Sequence, residues 1–237
     1  MSYEIAALCV TIAVVGAAVQ GAIGLGFGLL ASPLLALIDT EFIPGAILVA
    51  ILPLSATVAI ASVADVDRRG AGLALAGRVP GVIAGAAVAA VVSGRALAIA
   101  LAAVVLIGVA LSIWLPAVRT TARLTVGAGV VSGFMGTATG VGGPPVALLW
   151  QRTDAAAVRA TLSAYFAPGV VLSMIALTVA GDFTARQWRL GMLLLPGVLV
   201  GLVASRWLRR HVDGPRFRPI LLGVSAASAV ALLVEQL

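Results

Sequence analysis

Hydrophobic residues fill this chain in long segments that are separated by short polar or Gly/Pro-rich breaks. The segments span residues 5–38, 43–64, 71–92, 96–116, 124–151, 158–180, 189–208 and 219–235. Most are about 20 residues long, the length that a helix needs to cross a hydrocarbon layer of roughly 30 Å. Their hydrophobic positions are continuous rather than alternating, which excludes a transmembrane β-barrel. The pattern therefore predicts an all-α integral membrane protein.

Composition supports this fold class and excludes several kinds of site. Hydrophobic residues make up 62% of the chain and charged residues 10%, which is too apolar for a soluble domain. The single cysteine, Cys9, and the single histidine, His211, allow no internal disulfide and no cysteine cluster, so we expect no metal and no cofactor. We assign the net charge of +6 to cytoplasmic loops and expect no nucleic acid. The N-terminus lacks a basic region, so no cleaved signal peptide is expected.

A duplication divides the chain into two halves. Residues 24–33 read GLGFGLLASP, and residues 140–145, which begin 116 positions later, read GVGGPP. At the same offset, PGVIAG at 80–85 returns as PGVLVG at 196–201. Two landmarks with one spacing predict two membrane repeats, 1–118 and 119–237, each with about four hydrophobic segments.

The first segment of each repeat is too long for one crossing. As unbroken helices, 5–38 would measure about 51 Å and 124–151 about 42 Å. Each contains a Gly/Pro cluster, and both residue types disfavour a continuous helix. We therefore expect each segment to fold back at its cluster, as a re-entrant or discontinuous helix.

The distribution of arginines favours such hairpins. If all eight segments crossed once, the loop arginines would divide six against eight between the two faces. If both long segments return, the division becomes eleven against three, which matches the bias of natural cytoplasmic faces. The arginine-rich face then holds Arg68, Arg69, Arg119, Arg123, Arg152, Arg159, Arg206, Arg209, Arg210, Arg216 and Arg218. The other face holds Arg95, Arg186 and Arg189.

This topology has two consequences. Each repeat crosses the membrane three times, so the second repeat enters from the opposite face and the two repeats are inverted. Both termini are then extracytoplasmic, in a multi-pass protein of the inner (plasma) membrane. The two Gly/Pro clusters are expected to meet near the midplane.

We expect the clusters to form a substrate site. Irregular backbone is tolerated in a membrane only where protein or a watery cavity surrounds it. The helical arms expected after Gly28 and around Pro144 would present N-termini, which bind anions through free N–H groups and partial positive charge. Arg78 is the only charge well inside a segment, and an intramembrane charge suggests function. The predicted substrate-binding residues are Gln20, Gly24, Gly26, Gly28, Arg78, Gly136, Thr137, Thr139, Gly140, Gly142, Gly143 and Pro144.

Other interpretations of the same residues remain open. The glycines could serve only close helix packing, and the Arg78 side chain could extend to the lipid headgroups. Tyr165 and Phe166 could pack in the core or line the pocket. No acidic residue lies deep in a segment, so no proton relay is expected and an anion could leave down the membrane potential. No set of catalytic side chains is present, so no enzyme is predicted.

At its two clusters the sequence resembles the TauE/SafE family of sulfite-exporter-like permeases, most specifically in Gly140–Pro145. The resemblance covers nearly the whole chain and implies transport of small sulfur-containing anions such as sulfite, sulfoacetate or thiosulfate. We therefore predict an exporter that works by alternating access, with the anion and the lipid bilayer as its partners. An anion channel, an importer of a related anion and a non-transporting membrane scaffold are the alternatives. No oligomeric state is predicted.

Overall fold

The computed structural model describes residues 2–92, 94–114, 120–150, 153–209 and 217–236, without the side chains of 217–220. These residues form ten α-helices and three short 3₁₀ helices, and no strand occurs among them. The helices are α1 (Tyr3–Ile23), α2 (Phe27–Ile38), α3 (Gly45–Ala61), α4 (Arg68–Val91), α5 (Gly94–Trp114), α6 (Ala122–Thr139), α7 (Gly143–Ala147), α8 (Ala155–Val179), α9 (Ala185–Leu208) and α10 (Phe217–Gln236).

Five of these helices, α1, α4, α5, α8 and α9, are long and apolar enough to cross a membrane. Helices α2 and α3 and residues 221–236 are apolar but shorter. The all-α membrane fold predicted from the sequence is therefore confirmed. His211 and four of the arginines assigned to the rich face, Arg119, Arg152, Arg210 and Arg216, lie outside the described residues.

Polar residues start several helices by accepting from backbone N–H groups that have no partner within the helix. Asp67 accepts from the Gly70 amide before α4, and Asp154 accepts from two amides before α8. Thr184 and Gln187 form a reciprocal capping box at the start of α9. The breaks between hydrophobic segments thus carry the residues that define the helix ends.

Both long segments break at their glycine clusters. α1 ends at Gly24 and α6 ends at Gly140, and both glycines have left-handed backbone, with φ of 88° and 78°. The Gly24 amide donates to the Gln20 carbonyl and the Gly140 amide to the Gly136 carbonyl, so each helix closes with the same bond. We call residues 24–26 and 140–142 the first and second elbow. Left-handed backbone costs other residues roughly 1–2 kcal/mol, which explains glycine at both positions.

The main helix pairs each join one helix of the first half to one helix of the second half. α4 packs along α6, and α1 packs along α9. Glycines permit both contacts: a Cβ at Gly77 or Gly81 would meet carbonyls of α6, and a Cβ at Gly197 or Gly201 would meet carbonyls of α1. α3 also packs on α8, and α5 on α10. Close glycine packing therefore operates along the helix shafts.

The described loops gather at two opposite ends of the bundle. At one, the Asp39 end, Arg186 pairs with Asp39, and Arg95 donates to the Gln236 carbonyl. At the other, the Asp67 end, the Asp67 amide donates to Thr161, and the Asp67 carboxylate accepts from the Trp150 indole. α9 runs from the Asp39 end and α4 from the Asp67 end. Because each partner lies parallel to them, α1 starts at the Asp39 end and α6 at the Asp67 end.

Candidate functional site

A cavity lies where the two elbows come together. Its lining comes from both halves: Gln20, Leu25, Gly26, Gly28, Leu29, Leu48, Ile51, Arg78, Gly136, Gly140, Val141, Gly142, Gly143, Phe166 and Val170. The lining is apolar apart from Arg78, the Gln20 amide and the glycine backbone. No carboxylate lines it.

Glycine allows the elbows to touch. A Cβ at Gly28 would lie 2.9 Å from the Gly140 carbonyl oxygen, so the first turn of α2 can approach the second elbow only without a side chain. A Cβ at Gly143 would lie 3.6 Å from the Leu25 side chain on the first elbow. The arms begin at Phe27 and Gly143, within two residues of where the sequence placed them.

Arg78 is the only charge in the cavity wall, and its side chain is 1% exposed. One terminal nitrogen, Nη2, donates to Ser173 Oγ at 3.3 Å. Nε and Nη1 are buried and have no hydrogen-bond partner among the described residues. The guanidinium therefore stays inside the bundle and does not extend to the headgroups. A role for Arg78 in substrate binding stays a prediction.

The guanidinium occupies a slot that glycines keep open. A Cβ at Gly169 of α8 would lie 2.6 Å from Arg78 Cδ, and one at Gly136 of α6 would lie 3.3 Å from Nη2. The Tyr165 ring lies 5.0 Å from Cζ and the Phe166 ring 5.9 Å, distances at which aromatic faces attract a cation. The slot thus fixes the position of the charge without neutralising it.

Hydroxyl groups connect this slot to α6. Thr137 Oγ1 and Ser173 Oγ are 2.8 Å apart, so Thr137 supports the residue that accepts from Arg78. Tyr165 donates to Ser132 Oγ at 2.8 Å, and Ser132 donates to the Gly142 carbonyl in the second elbow. The arginine, both aromatic rings and the second elbow therefore belong to one packed unit.

Eight of the twelve predicted site residues line the cavity: Gln20, Gly26, Gly28, Arg78, Gly136, Gly140, Gly142 and Gly143. Gly24, Thr137, Thr139 and Pro144 lie beside it and do not contribute to the lining. Gly24 packs against the Arg159 backbone, and Pro144 against Gly108 of α5.

Two of the predicted polar residues stabilise the elbows. Gln20 Oε1 accepts from the Phe27 amide at 3.1 Å, and its Nε2 donates to Ser55. Thr139 Oγ1 accepts from the Val141 amide at 3.3 Å. Each side chain thereby satisfies a backbone donor in its turn. For Gln20, which also lines the cavity, one N–H of Nε2 remains available to a solute.

Gly169, Ser173 and the support from Tyr165 were absent from the predicted site. They share one face of α8, because residues 165, 169 and 173 recur every four positions. That spacing of an aromatic, a glycine and a hydroxyl was the available signal. Phe166 lines the cavity and also packs in a buried cluster with Tyr165, so both roles considered for it apply.

The arrangement favours an anion. A buried cation without a countercharge is unfavourable, and an oxyanion could supply that charge by accepting from one of the unused nitrogens. No group of three or more His, Cys, Asp or Glu side chains among the described residues could hold a metal ion.

Fold and site together define a polytopic α-helical membrane protein with a cationic cavity between its two halves. The chain belongs to the sulfite exporter TauE/SafE family, whose model matches residues 8–232. It is therefore a membrane transporter of the sulfite or anion exporter type, in a family of transporters rather than enzymes. No curated protein and no solved structure matches the chain.

Proposed function

We propose that the protein exports small sulfur-containing anions, such as sulfite, sulfoacetate or thiosulfate, by alternating access to the cavity between the elbows. Arg78 carries this proposal, because its charge is buried in the cavity wall with two unused donors and no carboxylate. An anion that accepts from Nε or Nη1 would supply the missing countercharge through a charge-assisted hydrogen bond.

The elbows would add backbone donors to this contact. Gly28 and Leu29, in the first turn of α2, line the cavity, and amides in the first turn of a helix lack partners within it. The apolar part of the wall, including Leu48 and Val170, excludes bulk water and strengthens the interaction with the charge. Such a site favours a compact oxyanion.

Alternating access is supported by the directions of the helices. α1 and α6 occupy corresponding places in the two halves, yet α1 starts at the Asp39 end and α6 at the Asp67 end. Opposed directions of this kind are expected of inverted repeats, 1–118 and 119–237, which can exchange conformations around a shared site. The cavity lies between them and takes residues from both.

Export would need no second ion. An anion that leaves a cell with a negative interior gains about 2.3 kcal/mol per charge for each 100 mV. The cavity lining, all of which belongs to the described part of the chain, has no acidic group that could bind a proton or a sodium ion. We expect flux to follow the membrane potential.

The test is anion flux in proteoliposomes containing the purified protein. Arg78→Gln should lower sulfite efflux by about tenfold or more, because a hydrogen bond to a charged group is worth roughly 1.5–3 kcal/mol. Gly72→Ala is the matched control on the same helix, since a Cβ there meets nothing within 4 Å. Flux in the Arg78→Gln protein equal to that of the control would contradict the central site.

The same preparation separates the other functions. A carrier should show saturable flux and counter-exchange, whereas a channel should show neither. A non-transporting scaffold should show no flux and no rise in melting temperature with sulfite, since any ligand of the native state raises its stability. Flux in the opposite direction under physiological gradients would identify an importer.

A further inference from the structure

Two arginines bind the end of α1, outside the central cavity, and the charge of a third acts on one of them. Arg159 of α8 donates from Nη1 to the Ala22 carbonyl at 3.5 Å, and Arg209, directly after α9, donates from Nε to the Gly21 carbonyl at 3.3 Å. Arg206 lies three residues before Arg209 and is exposed. Two guanidinium groups from the second half thus bind adjacent carbonyls in the first half. We call Arg159, Arg206 and Arg209 the arginine cluster.

Among the described residues, the arginine cluster has no acidic partner. Within the described ranges no carboxylate forms an ion pair with any of its members. Arg159 Nε is buried and has no hydrogen-bond partner among the described residues. Burial lowers the pKa of the Arg209 guanidinium, and the charges of Arg159 and Arg206 lower it further. The charges of Arg159 and Arg206 therefore both repel the Arg209 guanidinium.

The carbonyls of α1 account for only part of this arrangement. A helix C-terminus carries about half a negative charge, so it favours one nearby cation and cannot balance three. Two carbonyl oxygens also use few of the five N–H groups on each guanidinium. An additional negatively charged ligand would relieve the repulsion and use the remaining donors.

The position of the arginine cluster is also informative. Thr161, which accepts from Asp67, lies on the same helix as Arg159, so the cluster lies toward the Asp67 end. The Arg159 backbone packs against Gly24 of the first elbow, and Leu25 and Gly26 of that elbow line the cavity. One elbow therefore separates the cluster from the central site.

We propose that the arginine cluster is a second anion site that binds an oxyanion beside the first elbow. The ligand is either the phosphate of an anionic lipid or a free sulfur oxyanion. In the second case the inference rests on the proposed function, and the site would collect the anion on the side from which export begins.

The test uses full-length protein in which Arg78→Gln has removed the central charge. We expect sulfite, or an anionic phospholipid in nanodiscs, still to raise the melting temperature of this variant. Adding Arg206→Gln and Arg209→Gln should raise the half-saturating ligand concentration by about tenfold or more, because two charged donors are lost. Adding Arg123→Gln instead is the control, since Arg123 is an exposed arginine near the same end.

Two parallel titrations identify the ligand. A response to sulfite in zwitterionic nanodiscs indicates the free anion, and a response only to anionic phospholipid indicates the lipid phosphate. Either response supports the proposal if it depends on Arg206 and Arg209. No response to either ligand, or an equal loss with Arg123→Gln, overturns it. Failure of the central site would appear instead as unchanged flux in the Arg78→Gln protein, so the two failures are distinguishable.

Discussion

At the scale of single residues, the position of one guanidinium depends on the absence of a neighbouring methyl group. Arg78 fills the space that a side chain at Gly169 would need, and the nearest atoms there belong to the guanidinium itself. Because Ser173 and the Tyr165 ring hold the other sides of this group, it has little room to move. The charge is therefore positioned by α8 although α4 carries it.

Gly169→Ala should therefore weaken anion binding without removing any charge. The added Cβ displaces the guanidinium from Ser173 and changes the direction of its two unused donors. We expect the half-saturating sulfite concentration to rise by about tenfold, the loss of one charge-assisted hydrogen bond. Sulfite titrations of the melting temperature measure this.

Gly72→Ala serves again as the control, because it adds the same atom on α4 in open space. Alanine is favoured over glycine inside a helix, so this variant should be as stable as the parent or slightly more stable. Sulfite affinity equal in the two variants would mean that the slot does not position Arg78 for a ligand.

At the scale of helices, the α4–α6 pair and the equivalent α9–α1 pair pack in registers that differ by one helical turn. The Val130 carbonyl of α6 faces Gly81 of α4. Its counterpart in the first half, the Val14 carbonyl of α1, faces Gly201 of α9, which corresponds to Gly85 and not to Gly81. The four-residue difference corresponds to about 6 Å along the helix. The difference has a steric reason. Gly77 packs against the Val126 carbonyl, one turn earlier in α6. The counterpart of Gly77 in α9 is Leu193, whose side chain would clash with a carbonyl of α1 in the same register.

Gly77→Ala should consequently destabilise the protein through the α4–α6 contact. Its Cβ would meet the Val126 carbonyl, which belongs to the backbone and cannot rotate away. Overpacking of this kind typically costs about 1–3 kcal/mol. We expect a lower melting temperature, by about 2–4 °C per kcal/mol for a chain of this size.

Gly127→Ala on α6 is the matched variant, since a Cβ at that position meets nothing within 4 Å. It should leave the melting temperature unchanged or slightly higher. Equal melting temperatures for the two variants would contradict the tight packing of α4 on α6.

The elements that the sequence defined well are those set by local composition. Segment ends and both elbows were predictable, because apolar runs, helix-capping residues and Gly/Pro clusters act on their own stretch of chain. Arg78 was predictable because one charge in an apolar segment is conspicuous. Gly169 and Ser173 were not, since their role depends on α8 packing against α4, a contact about 90 residues apart that no local pattern encodes.

At the scale of the whole molecule, the distribution of charges between the two ends of the bundle predicts its orientation in the membrane. The Asp67 end carries the arginine cluster and Arg123, and the Asp39 end includes Asp39, Arg95 and Arg186. Cytoplasmic faces of membrane proteins collect arginine. We therefore predict that the Asp67 end faces the cytoplasm and that both termini, which lie toward the Asp39 end, face outward.

Single cysteines at the two ends test this orientation. The only native cysteine, Cys9, is buried and can be removed by Cys9→Ala. In that background we place Glu235→Cys near the C-terminus and Ala122→Cys at the start of α6, both exposed positions. Neither change removes an arginine, so the charge difference that sets the orientation stays intact. A membrane-impermeant maleimide should label position 235 in intact cells and position 122 only after permeabilisation. The opposite order would place the arginine cluster outside the cell, where it could not collect an anion destined for export, and the direction of transport would have to be reversed.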